Sequence, residues 1–132
     1  MKTRNGFVSN SSSSSFIIRG TKFKTDEIIN VLNIPQEDVD NLDEYEICEY
    51  LNEKFVELTG FSVEVDGNYF GGKDYSTLIV GDDLGYLEDG EAVELKEYTP
   101  EENQELIDKF EKLGFKDVKL KTFVQMVSND NY

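Results

Sequence analysis

The chain contains no histidine, no tryptophan and a single cysteine among its 132 residues. Without histidine there is no imidazole general base, no histidine-centred triad and no imidazole ligand for zinc. Without tryptophan there is no broad aromatic platform on which a sugar would stack. Carboxylate pairs at glycosidase separations arise by chance in a chain this acidic. Cys48 has no second cysteine to pair with, which fits a reducing compartment. It sits beside Ile47 on a predicted helix with no imidazole to activate it, so it reads as a core-edge residue, not a nucleophile. No apolar run approaches the ~20 residues that span a bilayer. The opening Met1-Lys2-Thr3-Arg4 leads into Asn5, Gly6 and serines and not into an apolar signal core. No internal repeat and no Pro/Gly-rich linker divides the chain. The expectation is one soluble cytoplasmic domain, long enough for a single core.

What is abundant is negative charge. The formal net charge is −15, but residues 1–24 hold Lys2, Arg4, Arg19, Lys22 and Lys24 and no acid; that +5 leaves −20 for the rest. Two blocks concentrate it. Glu37 to Glu57 runs through Asp38, Asp40, Asp43, Glu44, Glu46, Glu49 and Glu53 with only Lys54 in opposition. Asp82 to Glu105 is as dense, relieved only by Lys96. Such a surface repels phosphate backbones and attracts cations or basic proteins, so direct nucleic-acid binding by the body is disfavoured.

Periodicity predicts an α+β domain: a mainly antiparallel sheet of four to five strands with about three helices on one face. Phe16 to Arg19 reads as a short strand. Thr25 reads as an N-cap, with Asp26 and Glu27 in the first turn and Ile28, Ile29 and Leu32 on the apolar face. Pro35 opens a further helical turn. Asp43 to Leu58 places Ile47, Leu51, Phe55 and Leu58 at helical spacing, and Gly60 is the terminating residue. Phe61, Val63 and Val65 alternate with polar residues up to an Asp-Gly turn. Thr77 to Val80 is a continuous apolar strand, and Ala92 to Tyr98 alternates again. The clearest element is the last helix. Thr99 caps it, Pro100 takes N1, Glu102 completes a capping box, Leu106, Ile107, Phe110 and Leu113 face inward, and Gly114 ends it. Val118 to Met126 is the last strand.

The most distinctive stretch is N-terminal: Asn5, Gly6, Phe7 and Val8, then the pure run Ser11, Ser12, Ser13, Ser14 and Ser15, then Phe16. This string resembles the opening of small uncharacterised proteins encoded by tailed bacteriophages and prophages, which begin with close variants of it. The resemblance ends near residue 18. It implies an origin and no chemistry. From the serine run and the charge division, residues 1–15 are expected to form a serine-rich basic arm and residues 16–132 an acidic α+β domain. The serines lie beside basic residues and between apolar flanks, which suits a docking or processing tag read by a partner; a flexible linker is the plain alternative.

Two further motifs fall short of chemistry. Gly67 to Lys73 has the spacing of a phosphate-cradling loop, but Asp74 stands where a magnesium-binding hydroxyl is needed and a strand follows in place of a helix N-terminus. Asp82, Asp83, Glu88, Asp89 and Glu91 around Gly81, Gly85 and Gly90 offer hard oxygen ligands without EF-hand spacing, and read first as a solvated loop. No catalytic residue, metal ligand or cofactor is assigned.

The remaining candidates are the acidic helix faces. Asp43, Glu46, Glu49, Glu53 and Glu57 line one side of the long helix, and Glu101, Glu102 and Glu105 begin the last one. Carboxylates at i, i+3, i+4 spacing repeat at intervals comparable to duplex phosphates. The expectation is a non-catalytic accessory protein of phage type that binds a basic host or phage protein, its sharpest form a DNA-mimic-like inhibitor of a nucleic-acid-handling or defence complex. The alternative is a virion or assembly component with the serine motif as its handle. A carboxylate and divalent-ion enzyme is a third class.

Overall fold

The computed structural model describes residues 13–67, 75–88 and 94–128. Its elements run β1 (Ser13–Lys24), α1 (Thr25–Val31), α2 (Gln36–Val39), α3 (Glu44–Thr59), β2 (Ser62–Val65), β3 (Thr77–Glu88), α4 (Pro100–Leu113) and β4 (Lys121–Ser128). The strands form one antiparallel sheet in the order β2-β3-β1-β4, so the chain is an α+β domain as the periodicity predicts.

The central strands β1 and β3 are each 12 residues long, far beyond the apolar runs that announce them. β1 starts inside the serine run: Ser14 pairs with Glu88 on one side and Val127 on the other. Polar residues join a strand freely when both neighbouring ladders absorb their backbone groups. Asp82 and Asp83 belong to β3 through the β1 ladder alone, opposite Arg19 and Ile18, and the acidic loop expected from residue 82 onward is strand up to Glu88, with residues 89–91 outside the described set. The phosphate-loop look-alike lies outside the described residues beyond Gly67.

All four helices cover one face. Leu78 and Val80 of β3, Phe23 of β1 and Val63 of β2 meet Ile28, Val39, Leu51, Phe55, Leu106 and Phe110 in the main core. Its centre is aromatic. Phe23 stacks on Phe115 with centroids 4.2 Å apart, and Phe110 meets Phe61 at 4.7 Å and Phe23 at 5.6 Å. Rings at offset or edge contact add about 0.5–1.5 kcal/mol per pair beyond their burial.

A second, smaller core lies on the other face, where Phe16, Ile18 and Ile79 are almost fully buried against Phe123. Among the described residues no helix contributes to it, and the edges of the sheet approach each other. In hydrogen-bonding order β2 and β4 are opposite edges, about 14 Å apart if the sheet were flat. Yet Gln125 of β4 donates to the Val65 carbonyl of β2 at 3.0 Å, and Lys22 of β1 pairs with Asp66 at 3.2 Å. The fold line is the cross-strand pair Gly20 and Gly81.

The helix ends separate good sequence signals from weak ones. Thr99 and Glu102 make both halves of a capping box with Pro100 at the first turn, and Gly114 ends α4 in the left-handed region. Asp43 and Glu46 do the same for α3, closed by Gly60 at φ 81°. Pro35 does precede a short helix. Thr25, in contrast, is not a cap: Lys24 holds that position, and the Thr25 hydroxyl donates to the Tyr75 carbonyl at 2.6 Å. A nearby chain segment outcompeted the local helix end for the hydroxyl.

Three other expectations are corrected. Leu58 does not face the core; it is 53% exposed in the last turn of α3, which buries only Leu51 and Phe55. Residues 94–98 are not a strand, and residues 92 and 93 lie outside the described set. Alternation alone does not make a strand, and these residues do not pair with either edge of the β2-β3-β1-β4 order. The last strand begins at Lys121, with Val118 and Leu120 packed on the main core ahead of it.

Candidate functional site: the acidic face of α3 and its flanking groove

Helical geometry puts Asp43, Glu46, Glu49, Glu53 and Glu57 on one side of α3, opposite the buried Leu51 and Phe55. At 1.5 Å per residue the five carboxylates span about 21 Å, one per about 5 Å, a sparser row than the one charge per 3.4 Å of axis along a single DNA strand. All five residues are exposed. Three are tied locally. Asp43 accepts the Glu46 N–H at 2.8 Å, Glu46 accepts the Asp43 N–H at 3.0 Å, and Glu49 accepts the Tyr45 hydroxyl at 2.8 Å. These bonds orient the carboxylates without neutralising them. Among the described residues no lysine or arginine pairs with an acid of α3. The helix's own Lys54 instead lies over the Tyr50 ring, 5.8 Å from its centroid.

The expected acids of α4 are different. Glu102 is drawn into the Thr99 cap and pairs with Lys96 at 3.2 Å. Its carboxyl is held below the usual range first by the Thr99 N–H and then by Lys96. Glu105 shares a cavity of about 180 Å³ with Lys96 and Lys109, and Glu101 stands exposed. Lysines therefore interleave with the acids of α4. Of the two acidic faces that the sequence offered, the one on α3 has no cation paired to it among the described residues.

Of the N-terminal motif, Asn5, Gly6, Phe7, Ser11 and Ser12 lie outside the described residues, Ser13 to Ser15 are strand, and Phe16 is core. Cys48 is half-buried on α3 against the main core. No three carboxylate or cysteine side chains among the described residues converge as a metal site would need. Among the described residues no helix is long and apolar enough to cross a membrane.

Two features had no single sequence signal. The first is a groove between α3 and the edge strand β2, about 340 Å³, lined by Tyr45, Glu49, Asn52, Glu53, Val63 and Tyr75 among others. Only the i, i+4 pair Tyr45 and Glu49 hinted at it. The second is a polar cluster around Arg19. This arginine donates to Asn103 of α4 at 3.0 and 3.3 Å and to Thr122 of β4 at 3.2 Å, and lies 5.6 Å from the centre of the Tyr98 ring. Tyr98 in turn donates to Asp82 at 2.7 Å. Burial, then Asp82, pushes the Tyr98 hydroxyl far above its ordinary pKa, against a smaller opposing pull from Arg19. Every group in this cluster has a partner, so it reads as a fastener between sheet, loop and helix.

No protein-family model matches the chain, no curated protein matches its sequence, and no solved structure matches it.

Proposed function

We propose that this chain is a non-catalytic, phage-type accessory protein that docks a basic protein partner on the acidic face of α3. One observation carries the reading: five carboxylates stand in a row on an exposed helix face, and among the described residues none pairs with a cation. Uncompensated like charge costs stability through self-repulsion, and a partner's lysines and arginines relieve that cost on binding. A linear row of negative charge favours a partner that itself handles nucleic acid, whose basic groove the stripe would occupy. Nucleic acid would be repelled by the same face.

The test is capture of partners from a host lysate at low and high salt, with wild type and with a Glu49→Lys, Glu53→Lys, Glu57→Lys variant. The expected result is a salt-sensitive basic partner that the variant loses. A partner retained by the variant at unchanged salt dependence overturns the reading. Truncation before Ser13, which spares β1, separates the stripe from the serine motif. The stripe model keeps the partner, whereas an assembly component docked through residues 1–12 loses it.

A further inference from the structure

The groove beside the stripe has a composition the stripe lacks. Its lining combines the carboxylate residues Glu49 and Glu53 of α3 and Glu64 of β2 with Tyr45, Tyr75 and Val63. We infer that this groove is the slot for one arginine side chain of the partner, its guanidinium laid against the tyrosine rings and forked onto Glu49 and Glu53. The inference rests on the docking reading above and names its anchor.

Three observations point to an arginine. The groove, at about 340 Å³, is at the small end for a ligand pocket and suits one long side chain better than a cofactor. A planar guanidinium stacks on aromatic faces and pairs bidentately with carboxylates, which an ammonium cannot do. The phenols also stay neutral beside the acids. Tyr45 is pushed up first by its hydrogen bond to Glu49, and Tyr75 first by burial, with Cys48, Glu44 and Asp43 adding to it. A neutral ring in a negative field keeps its face for a cation.

The groove does not suit strand addition, although it borders a sheet edge. On β2 the Val63 N–H is already taken by the Asn52 side chain at 2.9 Å, and the Val65 carbonyl by Gln125 at 3.0 Å. The edge offers side-chain contacts in place of a backbone ladder. The Tyr75 backbone is fixed by Thr25, whose hydroxyl and N–H bond the carbonyls of Tyr75 and Ser76 at 2.6 and 3.0 Å. The wall is therefore formed before any partner arrives, and little ordering remains to oppose binding.

The experiment uses the full-length chain with fluorescent nona-arginine and nona-lysine peptides as probes, read by anisotropy at low salt and by amide chemical shifts. Wild type is expected to prefer nona-arginine, with the largest shifts at Asn52, Val63 and Tyr75. Tyr45→Ala, at an exposed position that the fold tolerates, should cut that preference about two- to fivefold, the size of a surface cation–π contact, and Tyr45→Ala with Tyr75→Ala should abolish it. Glu57→Lys, outside the groove, should weaken both peptides by the same factor. Equal affinity for the two peptides, or an arginine preference undiminished in Tyr45→Ala, overturns the slot and leaves the docking face intact. Failure of both peptides to bind overturns the docking reading itself.

Discussion

Gly20 of β1 and Gly81 of β3 face each other across the sheet so closely that neither can carry a side chain. A Cβ at Gly20 would fall 2.6 Å from Gly81 Cα and overlap the Val80 carbonyl, and one at Gly81 would fall 2.6 Å from Gly20 Cα and overlap the Arg19 carbonyl. The obstacles are backbone atoms, which cannot swing aside. The pair lets two long strands fold over and bury Phe16, Ile18 and Ile79 without any helix on that face.

Gly20→Ala and Gly81→Ala should therefore each destabilise the domain by about 3 kcal/mol or more, the upper range for overpacking. Gly60 makes the control. Its φ of 81° favours glycine, but nothing lies within 4 Å of an added Cβ, so Gly60→Ala should cost only about 1 kcal/mol. Urea unfolding followed by circular dichroism reads the difference. Equal costs at Gly20 and Gly60 would mean the sheet opens readily at this point, contrary to the Gln125–Val65 bond.

Much of the architecture was legible where one local rule decides the outcome. Thr99, Pro100, Glu102 and Gly114 bound α4 by short-range chemistry alone, and Asp43 with Glu46 does so for α3. What was not legible depends on contacts distant in sequence. Ser14 and Ser15 become strand because β3 and β4 supply ladders on both sides, and Ser13 because β4 does on one. Thr25 gives up its cap because Tyr75, 50 residues on, offers a carbonyl. The glycine pair at 20 and 81 looks ordinary until the register aligns it. The candidate site divides likewise. The stripe on α3 follows from helical spacing, whereas the groove needs α3, β2 and Tyr75 in place.

Leu58 and Phe55 are close neighbours on α3 with opposite fates, one 53% exposed and the other fully buried. Spacing alone put both inside. Phe55→Ala should cost about 3–5 kcal/mol through the cavity it leaves against Phe115. Leu58→Ala should lie within about 0.5 kcal/mol of wild type, as surface substitutions do. Thermal unfolding of the two variants checks both values. A Leu58→Ala loss comparable to that of Phe55→Ala would place Leu58 in a core that the structure does not give it.

The Thr99 cap predicts how acid acts on α4. Glu102 accepts the Thr99 N–H at 3.0 Å and pairs with Lys96, and its carboxyl is lowered from the ordinary value of 4.5. Both partners favour the ionised form in the folded chain. A depressed folded pKa means that the contribution is fully present above the unfolded value of about 4.5 and fades as the pH falls through the folded value below it. Glu102 is one of 28 acids in a molecule of net charge −15, so its share must be separated from theirs. The informative quantity is therefore the difference between wild type and Glu102→Gln. Wild type should be the more stable at pH 7, and the gap should narrow steadily below pH 4.5. Thr99→Ala should cost about 1 kcal/mol at neutral pH by removing the other half of the box. Urea midpoints for the three proteins between pH 3 and pH 7 make the measurement, and a gap that widens in acid would show that Glu102 is not stabilised as its carboxylate.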